Sequence, residues 1–264
     1  MTENSKIVFF DIDGTLWDSS NIIPQSAKEA IKRLQENGHR AYINSGRTRG
    51  FIRSRELLDI GFDGIVCGCG TMIEMGSDIK YLYEIPKPQV EETLNVLRKN
   101  DVHAILEGRR YLYFDVDYFK SQKKGEKILN DMCEDARSID EEWGRWEISK
   151  MSCVMTSEES LQNLRSALSS DYTFMTHSME ISELVPIGFN KGTGIQKVCE
   201  LTGTDISDTF AFGDSINDVD MMRTAGVSIA MGNGTDEIKR MCDMVTDSLY
   251  DDGIYNACKK IGLI

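Results

Sequence analysis

The fold of this chain is decided by Lys6-Ile7-Val8-Phe9-Phe10-Asp11-Ile12-Asp13-Gly14-Thr15, a stretch in which an apolar run leads into two closely spaced carboxylates. A short continuous apolar run is typical of a central strand in a parallel sheet. Such a strand delivers Asp11 and Asp13 to its carboxyl end, where open α/β sheets bind their ligands. Because side chains along a strand alternate in direction, we expect positions 11 and 13 to share one side.

Composition and charge exclude several classes of function. The chain has 264 residues, enough for one large domain or two smaller ones, and a net charge of −13 at pH 7. This negative charge argues against nucleic acid and anionic membranes as partners, and we expect neither. No apolar run approaches the roughly 18 residues that cross a bilayer. Residues 1–5 also lack the basic segment of a signal peptide.

The cysteines and histidines do not indicate a zinc or other transition-metal centre. Cys67 and Cys69 are separated by one residue and have no second pair at zinc-site spacing, and the three histidines are scattered. Seven cysteines without a framework spacing indicate reduced thiols, so we expect a cytoplasmic protein. The sequence leaves the oligomeric state open.

The order of the predicted elements changes twice along the chain. Residues 1–84 and 186–264 alternate strands with helices, which indicates βαβ units and a parallel sheet. Between Pro86 and Pro186 the predicted order is α-β-β-α-β-α-β-β, with a hairpin signal at residues 107–109. We therefore predict a doubly wound, Rossmann-like α/β core formed by residues 1–84 and 186–264, with an α+β domain inserted at 85–185.

Several local expectations follow from the same patterns. One helix is predicted over Phe51–Leu58 and a single polar helix near residues 118–134. Residues 135–149, with two Trp among many charges, fit no pattern well. A strand is predicted over residues 179–185.

Polar side chains follow three of the predicted core strands, and a lysine opens the helix after the insert. These residues are Asp11, Asp13, Ser45, Asp214, Asn217, Asp218 and Lys191. Because the carboxyl ends of parallel strands meet at one edge of a sheet, we expect these groups to converge. Hard cations such as Mg²⁺ prefer oxygen ligands, which Asp11 and Asp214 can supply.

Such a set of residues suits phosphoryl transfer. A carboxylate such as Asp11 can act as a nucleophile and form an aspartyl-phosphate. The transferring group needs positive charge and hydrogen-bond donors, which a metal ion, Lys191, Ser45 and backbone N–H groups can provide. Asp13 could protonate the leaving alcohol and later activate water. Taken singly, Ser45 is typical of a turn or helix cap and Lys191 of a solvated helix start, so their combination carries the interpretation.

In these motifs the sequence resembles the haloacid-dehalogenase-like (HAD) hydrolase superfamily, in particular its Cof-type phosphatases, over essentially the whole chain. The stretch from Asp11 to Leu16 is similar to the first motif of that family. The resemblance implies that Asp11 is the nucleophile. It implies that Asp13 is the acid/base and that its backbone carbonyl lies on the metal.

The other three motifs of the family have similar counterparts. Asn44-Ser45-Gly46-Arg47 is similar to the second motif, where the family more often has Ala-Thr-Gly-Arg, and implies a phosphate site at Ser45 and Gly46. Asn190-Lys191-Gly192 is similar to the third and places Lys191 on the phosphate. The stretch Gly213–Asp218 is similar to the fourth. This resemblance implies that Asp214 binds Mg²⁺, that Asn217 lies near the phosphate and that Asp218 supports the metal site.

The insert and one loop complete the resemblance. The predicted element order at 85–185 is similar to the large C2-type cap that these enzymes carry between the second and third motifs. Where relatives often have Asn-Gly after the third strand, this chain has Cys69-Gly70. The departure concerns substrate contacts from this loop rather than the chemistry.

The resemblance therefore implies a Mg²⁺-dependent phosphatase acting on a small phosphorylated metabolite, such as a sugar, nucleotide or cofactor phosphate, through an aspartyl-phosphate. A phosphomutase or phosphotransferase with the same intermediate is an alternative that the catalytic residues cannot separate from hydrolysis. A receiver-type phospho-acceptor switch is a further alternative. It is disfavoured because a switch should protect its aspartyl-phosphate, whereas Asp13 supplies an acid/base two residues away.

Overall fold

The computed structural model describes residues 5–178 and 180–264. The first part of the chain contains β1 (Ile7–Phe10), α1 (Gln25–Glu36), β2 (Arg40–Asn44), α2 (Arg55–Leu58), β3 (Gly64–Cys67), β4 (Met72–Met75) and β5 (Asp78–Leu82). The middle part contains α3 (Lys87–Lys99), β6 (His103–Gly108), β7 (Leu112–Phe114), α4 (Val116–Ser121), α5 (Lys123–Met132), β8 (Ala136–Ser138), β9 (Ile148–Val154), α6 (Glu158–Leu168), β10 (Tyr172–Thr176) and β11 (Ile181–Pro186). The last part contains α7 (Lys191–Thr202), β12 (Thr209–Gly213), α8 (Val219–Thr224), β13 (Val227–Ala230), α9 (Asp236–Met241), β14 (Met244–Val245) and α10 (Gly253–Lys260).

These elements form two compact units. Unit 1 consists of the chain up to Gly46 together with Arg53–Leu82 and Asn190–Ile264, and unit 2 consists of Arg47–Ile52 and Tyr83–Phe189. The fold is therefore an α/β core interrupted by an inserted α+β unit, as the alternation of sequence patterns predicts.

Unit 1 is built on an eight-stranded sheet with the order β14-β13-β12-β1-β2-β3-β4-β5. The six strands from β14 to β3 pair in parallel, and β4 and β5 extend the edge in antiparallel pairing. One face packs on α7, α8 and α9 in a buried cluster that includes Phe9, Val66, Ile195 and Met221. Burial of these apolar side chains, at roughly 25 cal/mol per Å² of surface, is the main force that holds this layer.

Unit 2 is built on a six-stranded sheet with the order β10-β11-β9-β6-β7-β8, antiparallel except where β7 pairs with β8. One face packs against α3 and α6 through residues such as Leu94, Leu164 and Met151. The other face carries a second cluster in which Leu112 and Phe114 meet Phe119 of α4.

Several local sequence-based expectations were wrong, each for a physical reason. The segment predicted as one helix over Phe51–Leu58 is a short 3₁₀ helix at Arg49–Phe51 followed by α2, because Ser54 caps α2 by accepting a hydrogen bond from the Leu57 N–H. The polar helix near 118–134 is two helices, since Gln122 between them is extended.

Other departures lie at the edges of the two sheets. Residues 136–138, which fit no sequence pattern, form β8, and Trp146 is buried with its indole N–H bonded to the Ile139 carbonyl. The β4–β5 hairpin was not predicted at all. The strand predicted over residues 179–185 is β11, although residue 179 lies outside the described residues.

None of the helices in the described part of the chain is both long enough and apolar enough to span a membrane.

Candidate active site

The candidate site lies in unit 1, at the carboxyl ends of four neighbouring parallel strands. The strands β12, β1, β2 and β3 are adjacent in that order, and the residues that follow them are Asp214, Asp11, Ser45 and Gly68. The parallel direction of the strands brings these positions to one edge of the sheet, which is the usual ligand-binding edge of an open α/β fold.

Lys191 joins two of the carboxylates. Its Nζ donates hydrogen bonds to Asp11 Oδ1 and to Asp218 Oδ1, each at 2.6 Å, and all three side chains are buried. The lysine is held at the first position of α7, where Asn190 caps the helix through its side chain. Charge-assisted hydrogen bonds of this length are strong and fix both partners.

Asp214 lies against the loop that follows β1, which we call the first loop. Its Oδ1 accepts a hydrogen bond from the Thr15 hydroxyl at 3.2 Å. A Cβ placed on Gly14 would lie only 2.3 Å from Asp214 Oδ2, and Gly14 has a φ of +85°. The close approach of the first loop to Asp214 therefore depends on a residue without a side chain at position 14.

Asp218 organises the loop that carries Asp214. Its Oδ2 accepts hydrogen bonds from the Asp214 N–H at 3.0 Å and the Ser215 N–H at 3.2 Å, while its Oδ1 faces Lys191. Both oxygens of Asp218 are thus already engaged by protein donors. Asp11 differs, because its Oδ2 is buried without a hydrogen-bond partner in the described part of the chain.

The second-motif residues are tied to the neighbouring strand and loop. The Ser45 N–H donates to the Val66 carbonyl at 2.9 Å, and the Ser45 carbonyl accepts from the Cys69 N–H at 3.1 Å. Ser45 is buried, and Gly46 is half-buried. Cys69 has a φ of +57°, a left-handed conformation that Asn or Gly adopts more easily than Cys. The loop that departs from its relatives therefore adjoins Ser45 directly.

Asp13 and Asn217 lie at the more accessible side of the site. Asp13 is exposed, and its Oδ1 accepts a hydrogen bond from the Trp17 indole N–H at 2.9 Å. Asn217 is half-buried and accepts from the Ser215 hydroxyl at 2.7 Å. Because β1 ends at Phe10, the strand alternation expected for positions 11 and 13 does not extend to them, and Asp11 is buried while Asp13 is exposed.

Burial and neighbouring negative charges raise the pKa values of two acids in this site. Burial and the carboxylate of Asp218 raise the pKa of Asp11 from 3.8 to about 8, although Lys191 opposes the shift. The same two causes raise the pKa of Asp214 to about 6. Burial alone would lower the pKa of Lys191, but Asp11 and Asp218 outweigh it and hold that pKa above its ordinary value. Lys191 therefore carries its positive charge at neutral pH.

The donor set fits a hard divalent cation. Asp11, Asp214 and Asp218 each offer a carboxylate oxygen, and these atoms lie within 4.8 Å of one another. When all three acids are ionised they outnumber the one ammonium, and the unpartnered Asp11 Oδ2 can accept a cation. Oxygen donors of this kind suit Mg²⁺ rather than a thiolate- or imidazole-bound metal.

The supporting contacts of three residues were not predicted from the sequence, although Asn44 is part of the second motif. Asn44 is buried, and its side-chain N–H₂ donates to the Lys191 carbonyl at 2.9 Å. Asn233 donates to the Gly14 carbonyl at 2.7 Å, and the Thr235 N–H donates to the Asp214 carbonyl at 2.9 Å. Asn44 directly precedes Ser45, but nothing in the local pattern shows that its partner is 147 positions away.

Comparison with known proteins agrees with this geometry. A sequence model of the haloacid dehalogenase-like hydrolases matches residues 8–258. YkrA of Bacillus subtilis (strain 168) is 29% identical over 261 residues, covering 99% of each chain. The 5-amino-6-(5-phospho-D-ribitylamino)uracil phosphatase YitU of the same strain is 26% identical over 276 residues, covering 96% of each chain. The solved structure of BT4131, a sugar phosphatase of HAD subclass IIB, has a TM-score of 0.83 at 25% identity and covers 98% of this chain and 100% of that one.

The matched region takes in every motif of the site, and both enzymes named for a substrate are phosphatases. Phosphatases of this superfamily use a metal ion, typically Mg²⁺, and the chain carries an acidic group that could hold one. The chain therefore belongs to the haloacid dehalogenase-like hydrolase family, of the Cof type, and is a phosphoric monoester hydrolase.

Proposed function

We propose that this enzyme is a Mg²⁺-dependent phosphatase that hydrolyses a small phosphorylated metabolite through an aspartyl-phosphate on Asp11. The observation that supports this most directly is the buried contact of Asp11 with Lys191 beside Asp214 and Asp218. A carboxylate with one oxygen fixed by an ammonium and the other unpartnered is suited to nucleophilic attack.

The reaction proceeds in two steps. A carboxylate oxygen of Asp11 attacks phosphorus and the P–O bond to the leaving alcohol breaks, while Asp13 gives that alcohol its proton. Asp13 then takes a proton from water, the water oxygen attacks phosphorus, and the bond to Asp11 breaks to release inorganic phosphate. The exposed position of Asp13 suits a group that must meet both the leaving alcohol and water.

The remaining residues supply charge and donors. Asp11 and Asp214, with the backbone carbonyl of Asp13, would hold Mg²⁺, and Asp218 would support Asp214 from behind, since both its oxygens already accept protein hydrogen bonds. When bound, Mg²⁺ offsets the negative charge of the phosphoryl oxygens. Ser45, Gly46, Lys191 and Asn217 bind the phosphoryl group.

We propose that the inserted domain, at residues 85–185, is a cap that selects the substrate. Its resemblance to the caps of Cof-type enzymes supports this role. YitU acts on a ribityl phosphate and BT4131 on sugar phosphates, as their names state. We infer a substrate of the same general size: a sugar, nucleotide or cofactor phosphate.

The proposal is tested with a panel of sugar, nucleotide and cofactor phosphates, assayed for phosphate release with Mg²⁺ and with excess chelator. Acid-quenched enzyme should carry one phosphoryl group on the peptide that contains Asp11. Full activity in chelator, or a phosphoryl group on another peptide, would contradict the proposal. A new phosphate ester in place of free phosphate would indicate a transferase, and an aspartyl-phosphate that persists for minutes would indicate a switch.

A further inference from the structure

A buried ion cluster lies on one face of the unit 2 sheet. Lys150 of β9 lies between Glu107 of β6 and Glu183 of β11, with its Nζ 3.5 Å from Glu107 Oε2 and 2.8 Å from Glu183 Oε2. Lys150 and Glu107 are each 1% exposed. His177 approaches Glu183 from the exposed side, with its Nε2 3.2 Å from Glu183 Oε1.

Such a cluster lowers the free energy of unfolding unless its ion pairs compensate, because burying charged groups in a sheet face removes them from water. Burial raises the pKa of Glu107, and Lys150 opposes that shift. An apolar set of residues could fill the same space with no desolvation cost. None of these groups belongs to the proposed chemistry, so the cluster calls for another role.

Two hydroxyl groups point at Glu107. The Ser152 hydroxyl donates to Glu107 Oε1, and the Thr48 hydroxyl donates to Glu107 Oε2 at 3.2 Å. Ser152 comes from the neighbouring strand of the same sheet, whereas Thr48 is 59 positions away and is itself 1% exposed. Glu107, oriented by Lys150 and Ser152, thus holds a residue from a distant part of the chain.

Thr48 belongs to Arg47–Ile52, the short segment that unit 2 takes from between two stretches of unit 1. The segment is fixed at two further points. A Cβ on Gly50 would lie 2.8 Å from the Gly108 carbonyl, and Phe51 packs against the apolar cluster of Leu112. This segment is therefore attached to unit 2 by a hydrogen bond, a close backbone approach and an apolar contact.

The segment begins directly after Ser45 and Gly46. Two residues separate Ser45 from Thr48, and an extended chain spans only about 3.3–3.6 Å per residue. Whatever restrains Thr48 therefore also restrains the motion of the short stretch of backbone that leads out of Ser45 and Gly46. The other end of the loop is fixed within unit 1 by the Ser45 bonds to Val66 and Cys69.

We propose that Thr48 is a positioning residue: its hydrogen bond to Glu107, held by Lys150, orders the chain after Gly46 and thereby keeps the Ser45 hydroxyl in place for phosphate binding. The proposal deepens the proposed function, because it rests on the phosphate-binding role of Ser45. On this proposal the buried cluster serves to hold Arg47–Ile52, the segment of unit 2 that is flanked on both sides by unit 1.

The test compares Thr48→Val with Thr48→Ser and with the matched control Thr93→Val. Thr93 is equally buried in unit 2, where its hydroxyl bonds to Tyr172, and it lies outside the segment and the site. With p-nitrophenyl phosphate and Mg²⁺, we expect Thr48→Val to lower kcat/KM roughly tenfold, the factor that about one buried hydrogen bond corresponds to. Thr48→Ser should restore most of the loss, and Thr93→Val should leave kcat/KM unchanged even if it lowers Tm.

A double-mutant cycle distinguishes positioning from general destabilisation. If Thr48 acts through Ser45, Thr48→Val should add little to the loss caused by Ser45→Ala. If the two losses multiply in the double variant, or if Thr93→Val lowers kcat/KM as much as Thr48→Val does, the proposal is overturned.

Hydrogen exchange provides a readout that does not depend on turnover. In Thr48→Val we expect the amides of residues 46–51 to exchange roughly tenfold faster than in wild type, with no such change in Thr48→Ser or Thr93→Val. Unchanged exchange would refute the anchoring role. If the wild type releases no phosphate from any ester, the proposed function fails, while the exchange measurement still decides whether Thr48 anchors the segment.

Discussion

The ammonium of Lys191 donates a 2.6 Å hydrogen bond to Oδ1 of Asp11, a residue 180 positions earlier in the chain. This contact fixes the orientation of the Asp11 carboxylate and leaves its Oδ2 without a partner among the described residues. Because Lys191 opens α7 and Asp11 follows β1, the contact also joins the two ends of the interrupted core.

Replacement of Asp11, the proposed nucleophile, should abolish turnover without unfolding the protein. An amide is a poor nucleophile and a weaker metal ligand than a carboxylate, so we expect Asp11→Asn to lower kcat by roughly 10³-fold or more. Steady-state phosphate release measures the effect, and circular dichroism checks the fold. Asp208→Asn is the control, because its ion pair with Lys6 is partly exposed and contributes little. Activity of Asp11→Asn within tenfold of wild type would refute the assignment.

Stabilisation by Mg²⁺ should grow with pH. The folded-state pKa values of Asp11 and Asp214, about 8 and about 6, exceed the ordinary value of 3.8. Between about pH 4 and pH 8 the metal-free folded protein therefore binds more protons than the unfolded chain, and these acids lower the free energy of unfolding as pH rises. In the proposed site Mg²⁺ would bind the ionised carboxylates and so release those protons.

At one fixed Mg²⁺ concentration we therefore expect a larger increase in Tm at about pH 8 than at about pH 5.5. Thermal unfolding with Mg²⁺ and with chelator, at both pH values, measures it. Asp214→Asn should reduce the increase at the higher pH. An equal increase at both pH values in the wild type would contradict the prediction.

The indole of Trp17 should modulate Asp13, the proposed general acid/base. Asp13→Ala should slow turnover by roughly 10²–10⁴-fold, the usual contribution of general acid–base catalysis, and should leave Mg²⁺ binding intact. Trp17→Phe removes the indole N–H that donates to Asp13 Oδ1 and leaves the carboxylate in place, so its loss should be smaller. The pH profile of kcat and a Mg²⁺ titration measure the two effects. Loss of Mg²⁺ binding in Asp13→Ala with no other defect would show that the side chain serves the metal.

The sequence predicted those parts of the site that depend on local pattern. Asp11, Ser45 and Asp214 each follow an apolar strand, and the parallel sheet then brings them to one edge. The exposure of Asp13 was not predictable in this way, because β1 ends at Phe10 and the chain turns within the next four residues, where Gly14 has a φ of +85°. The alternation of side-chain direction applies only to residues within the strand, and Asp13 lies beyond its end.

The individual pairings between distant side chains could not be predicted from the sequence. Thr15 contacts Asp214 across 199 positions, and Thr48 contacts Glu107 across 59, so no local pattern encodes either pair. The membership of Arg47–Ile52 in unit 2 has the same origin, since it depends on the packing of Gly50 and Phe51 against distant residues. A single sequence shows which residues are polar or apolar, but only the fold shows which of them meet.

The lack of a side chain at Gly14 should be essential for Mg²⁺ binding at the proposed metal site. In Gly14→Ala the new Cβ would lie 2.3 Å from Asp214 Oδ2, so either the first loop or Asp214 must move. Displacing groups that hold a metal ligand typically costs roughly 10- to 100-fold in metal affinity, and we expect that loss for Mg²⁺.

Gly61→Ala is a matched control: Gly61 has nearly the same φ, +84° against +85°, but a Cβ there would meet nothing within 4 Å. Both variants should lose roughly 1–3 kcal/mol of stability from backbone strain, whereas only Gly14→Ala should raise the Mg²⁺ concentration needed for half-maximal activity. An equal Mg²⁺ requirement in the two variants would show that Asp214 does not depend on the approach of the first loop.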